Sequence, residues 1–81
     1  MKEERKLSRE QIGVLSEYLD LLQNGYTEIL QFIGKELWMF KLRHLSNGRV
    51  LTLVWTPKAA CIKEGKKVLK VLLYDGQMRQ H

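Results

Sequence analysis

The sequence holds one cysteine and one proline in 81 residues, and each scarcity removes a class of protein. A lone Cys61 closes no internal disulfide, so the chain is not one of the small secreted scaffolds stapled by paired cysteines, and a reducing, cytoplasmic setting is expected. No run approaches the roughly 18 apolar residues of a membrane span. Residues 1–9 alternate acid and base without the apolar stretch of a secretory leader. Neither membrane association nor a leader is expected. Internal repeats, low-complexity tracts and linkers are missing as well.

Catalytic patterns are equally scarce. His44 has no cysteine or carboxylate at a motif-like spacing, His81 is the last residue, and with Cys61 they are too widely spaced for a zinc site. There is no glycine loop to cradle phosphates and no nucleophile elbow. The expectation is a chain with no enzymatic activity, no metal and no cofactor.

What is present is ordinary globular material: 44% hydrophobic and 28% charged residues, too apolar for a disordered chain. The length suits one hydrophobic core, so one domain over 1–81 is expected, with 1–7 and 76–81 as flexible tails. The net charge of +5 is unevenly spread. Residues 1–40 carry five basic and seven acidic groups, whereas residues 41–81 carry nine basic groups against Glu64 and Asp75 alone. Such asymmetry points to a polyanionic or acidic partner for the C-terminal half.

Changes of hydrophobic period divide the chain. Ser8 and Gln11 have the spacing of a capping box, Leu7 and Ile12 that of a hydrophobic staple, and Asn24-Gly25 supplies a left-handed stop. A helix over 8–24 follows. Ile12, Leu15, Leu19 and Leu22 form its expected core stripe, and Val14, Tyr18 and Leu21 a second strip for another cover, either a C-terminal helix or a partner subunit.

Residues 26–55 read as strands broken at Gly34-Lys35 and at Ser46-Asn47-Gly48, the second being a strong hairpin signal. Three antiparallel strands are expected, over 27–33, 36–45 and 49–55. Alternation puts Trp38, Phe40, Leu42, Leu51, Leu53 and Trp55 on one face, and Leu30 and Phe32 join them as the apolar residues of the first strand. Ile29, Gln31, Ile33, Met39, Lys41, Arg43, Val50, Thr52 and Val54 then make a mixed outer face, open to solvent or a partner. Trp38, Phe40 and Trp55 share the richest apolar face, which makes them core residues rather than stacking platforms for bases.

For 57–75 the expectation is a C-terminal helix packed on one face of the sheet. Thr56 serves as cap, Pro57 as first helical residue and Gly76 as stop. Cys61, Ile62, Gly65, Val68, Leu69, Leu72 and Leu73 fall within an arc of roughly 140° on a helical projection. The alternative is that the segment is a fourth strand. On the helix reading, Lys63, Lys66, Lys67 and Lys70 point outward together. With Lys58, and with Lys41, Arg43 and Arg49 from the hairpin, they make a candidate phosphate-binding surface.

The expected order of helix, three strands and helix resembles the double-stranded-RNA-binding domain in topology. A lysine-bearing second helix is where that family meets phosphates. Here Thr56-Pro57-Lys58-Ala59-Ala60 stands in place of the family's small-residue and lysine-pair signature, so no membership is claimed. The expected function is a small nucleic-acid-binding or regulatory protein. The alternative is a protein-interaction module, inhibitor, adaptor or homodimer, engaging an acidic protein surface or itself.

Overall fold

The computed structural model describes residues 7–74, so the expected tails, except Leu7, lie outside the described residues. One helix, α1 (Arg9–Gln23), precedes five strands: β1 (Tyr26–Ile33), β2 (Trp38–His44), β3 (Val50–Thr56), β4 (Ala59–Glu64) and β5 (Lys67–Tyr74). The strands pair antiparallel in sequence order, so the sheet is a meander. Strand-to-strand links are therefore short hairpins.

The helix begins where expected. Gln11 N–H donates to Ser8 Oγ at 3.1 Å and Ser8 N–H donates to Gln11 Oε1 at 2.9 Å, closing the capping box. Asn24 ends it, with its N–H on the Asp20 and Leu21 carbonyls. Gly25 turns the chain at φ 95°, a left-handed value open to glycine, and a Cβ there would meet His44 Nε2 at 3.0 Å.

The buried side of α1 is the reverse of the expectation. Val14 is 0% exposed and Leu15, Tyr18 and Leu21 pack against the core, whereas Ile12 is 54% and Leu19 55% exposed, and Leu22 is exposed too. Only Leu15 of the expected stripe reaches the sheet. Two apolar stripes with similar spacing compete here, and Tyr18 decides between them. Its ring stacks on Phe40 at 4.8 Å and its hydroxyl donates to the Glu28 carboxylate on β1.

On the helix-covered face lie Trp38, Phe40, Leu42, Leu51, Leu53 and Trp55, all buried as alternation predicts, joined by Ala60 and Ile62 from β4. Leu30 and Phe32 do not join them. Pairing sets Phe32 opposite Met39 and Leu30 opposite Lys41, and cross-strand partners share a face, so both lie on the opposite, open face. They are 44% and 50% exposed. By the same register Gln31 and Ile33 belong to the helix side, beside Phe40 and Trp38. Apolar residues fall on both faces of β1, and the register shift at Ile29 reverses the alternation beyond it, so apolar content was a poor guide.

The expected C-terminal helix is absent. Residues 59–74 form two strands, β4 and β5, so the sheet has five strands rather than three, and even the single-fourth-strand alternative undercounts. Pro57 sits in a turn whose corner is held by Thr56. That Oγ1 accepts from Lys58 N–H and Ala59 N–H, at 3.3 and 3.2 Å, in a side-chain mimic of a backbone turn. Gly65 takes φ 63° at the first position of a two-residue link, the requirement of a type II′ hairpin. Helix caps and turn formers use the same residue types, so Thr-Pro and Gly served either reading. Cross-strand partners already in place on β3 resolve the ambiguity. The topological resemblance to double-stranded-RNA-binding domains falls with the second helix.

Candidate interaction surface

Among the described residues, α1 covers one face of the sheet and no element covers the other. Register puts one residue from each strand in a row across that face: Phe32, Met39, Val54, Cys61 and Val71. The row is apolar throughout, and each of its residues is exposed or partly exposed. Cys61, expected in an apolar helix face, is instead a partly exposed free thiol on this row.

The neighbouring row reads Leu30, Lys41, Thr52, Lys63 and Val68, and Arg43 and Val50 lie one row further on. Lys41 and Lys63 are two strands apart, roughly 10 Å at the backbone given the usual strand spacing. The described strand positions of this face carry three cations and no carboxylate. It is thus an apolar band bordered by positive charge.

The eight cations expected to form one phosphate surface are divided by the sheet. Lys41, Arg43 and Lys63 share the open face. Lys70 pairs with Ile62 on the helix side, where its Nζ donates to Glu17 Oε2 at 3.1 Å. The register shift at Leu69 sends Val68 and Lys70 to opposite faces. Lys58 stands in the β3–β4 turn at one end of the sheet, and Lys66 in the β4–β5 turn at the other. Lys67 opens β5 opposite Glu64.

Arg49 is occupied as well. It grips Glu64 with Nη2–Oε1 at 2.8 Å and Nε–Oε2 at 3.2 Å. The bond to Arg49 holds the Glu64 carboxyl below the usual carboxylate range, outweighing the opposing effect of burial. The same pair raises Arg49 further. No helical face of lysines exists. The signal for the true arrangement was Gly65 at the first position of a two-residue link, which suits a type II′ hairpin between the short runs 59–64 and 67–74.

Elsewhere little polar chemistry converges. His44 Nδ1 accepts from Ser46 N–H at 3.1 Å and from Asn47 N–H at 3.4 Å, and its ring meets Tyr26 edge-on at 4.7 Å. This histidine pins the β2–β3 turn. Trp55 Nε1 is the buried side-chain polar atom without a hydrogen-bond partner among the described residues. No described helix is long and apolar enough to cross a membrane. No family model, curated protein or solved structure matches this chain.

Proposed function

We propose that this chain is a non-catalytic binding module that receives an acidic, partly apolar polypeptide on the open face of its sheet. The observation that carries the reading is the five-strand apolar row from Phe32 to Val71, bordered by Lys41, Arg43 and Lys63 with no carboxylate beside them. Apolar area left uncovered in a small domain marks an interaction surface. Unmatched positive charge at its border favours a partner of opposite sign and excludes cationic ones.

A nucleic acid is the second reading, and the same three cations favour it. Single strands bind by stacking bases on aromatic rings over a positive groove. Here Trp38, Phe40 and Trp55 are buried under α1, and Phe32 is the ring that the five-strand row carries on the open face. Aliphatic, thioether and thiol side chains fill the rest of the row, which suits a polypeptide better.

Fluorescence anisotropy separates the two. A labelled peptide alternating glutamate with leucine should bind in a salt-dependent manner. Reversing Lys41 and Lys63 to glutamate should abolish its binding without altering the circular dichroism. Preference for labelled single-stranded DNA or RNA over that peptide would move the assignment to the second reading. Failure of the peptide and of both nucleic acids to bind at low salt overturns the proposal.

A further inference from the structure

Among the described residues the sheet ends in two edge strands, β1 and β5, and they are built differently. β5 carries Lys67 and Lys70, and two register shifts bend it away from regular pairing. Cations and bulges are the usual means of keeping an edge from pairing with another chain. β1 has neither device over its last four residues, 30–33. Leu30, Phe32 and Ile33 are 44 to 56% exposed there, with the uncharged Gln31 between them, and the register shift of this strand falls at Ile29, just ahead of that stretch.

We propose that this edge pairs with β1 of a second copy of the chain, joining two meanders into one continuous antiparallel sheet across a two-fold axis. Unpaired backbone and charge select this occupant. Among the apolar surfaces described, the outer stripe of α1 (Ile12, Leu19 and Leu22) belongs to a helix whose backbone groups are bonded along its own axis, so it has no pairing edge to offer. The open face would set Lys41, Arg43 and Lys63 against themselves, and a β5 pairing would bring two sets of lysines together.

The end of β1 meets its own copy without opposing like charges, since 29–33 holds no ionisable group. Such a dimer also places the basic β3–β5 segments at the far ends of the joint sheet. An antiparallel two-fold keeps equivalent faces on the same side, so in the register centred on Gln31, Phe32 of one copy lies opposite Leu30 of the other. The apolar row that now ends at Phe32 then continues into the second subunit. Unpaired N–H and C=O groups along the edge are satisfied in the same step.

A strand pair this short buries less than the roughly 1,200 Å² of a standard interface, so a micromolar, reversible dimer is expected. The inference does not depend on the partner proposed for the open face. Sedimentation velocity of the full chain from about 1 µM to about 1 mM should show a monomer–dimer equilibrium. Phe32→Lys and Leu30→Lys should each weaken it by about tenfold or more, with circular dichroism and melting temperature unchanged.

Leu19→Lys on the outer helix and Val71→Lys on β5 should leave the dimer within roughly twofold of the parent. In the unaltered protein, amide exchange within 30–33 should slow as concentration rises. A chain that sediments as a monomer throughout overturns the proposal. So does a dimer that survives both β1 substitutions, or one lost through Leu19→Lys or Val71→Lys instead.

Discussion

The two faces of this sheet are made from alternate residues of the same strands, yet they obey different rules. Phe40, Leu42 and Leu53 are almost wholly removed from water beneath α1. Their immediate neighbours Met39, Lys41 and Val54 look outward with no layer over them among the described residues. Two adjacent residues of similar chemistry, Leu53 and Val54, therefore differ in what surrounds them far more than in what they are. Burial on one face specifies the fold, and the apolar area of the other is the surface proposed above for recognition.

The sharpest way to break this comparison is to truncate those neighbours in turn. Leu53→Ala should cost about 2 to 5 kcal/mol, because the buried site loses both transfer energy and packing. Val54→Ala should cost at most about 1 kcal/mol, the span of strand preference at a half-solvated position. Urea unfolding of both variants checks the pair, and equal losses would mean that the second face is also core.

A smaller effect tests how the covering helix is tied down. Tyr18 is the polar link between α1 and β1, and Tyr18→Phe should cost about 1 to 2 kcal/mol while leaving its packing on Phe40 in place. The bond to Glu28, then burial, then the Glu28 charge hold the Tyr18 hydroxyl above its usual pKa. A raised folded value means that the stabilisation is complete below the unfolded pKa of about 10 and is lost as pH rises through the folded one. Thermal melts at increasing alkalinity should therefore fall less steeply for Tyr18→Phe than for the parent.

Smallest is the effect expected at the rim, where Arg49 and Glu64 are solvated. Glu64 titrates below its usual range, so its contribution is present above the unfolded glutamate value and fades as pH falls through the lowered one. Arg49→Gln should leave neutral-pH stability nearly unchanged, as exposed pairs do. Its signature is Glu64 titrating closer to the ordinary range, read by carboxyl chemical shifts.

Much of this architecture was legible in local signals. Ser8 and Gln11 bond each other across three residues, and Asn24-Gly25 needs only its own backbone geometry, so the limits of α1 follow from residues in contact along the chain. The hairpin at Ser46-Asn47-Gly48 and the inward residues of β2 and β3 are local in the same sense. A turn and a two-residue period suffice. Of the candidate surface, Met39, Lys41, Arg43, Val50, Thr52 and Val54 were assigned to the outer face by alternation alone, whereas Phe32, Leu30, Cys61, Lys63, Val68 and Val71 were not.

What remained undetermined depended on partners distant in sequence. Either stripe of α1 could have faced the sheet, and the choice rests on Tyr18 meeting Phe40 and Glu28. The side taken by Leu30 and Phe32 follows from pairing with Lys41 and Met39, which no property of β1 alone reveals. Residues 57–74 satisfy a helical arc and a pair of strands almost equally well. The exposed edge of β3 provides hydrogen-bond partners at Thr52 to Thr56 that an isolated segment lacks, and pairing with it makes those residues β4 and then β5. Caps, turns and alternation are short-range and written in the chain itself, while face, register and the choice between helix and strand were decided by which backbone and side-chain groups the rest of the fold presented.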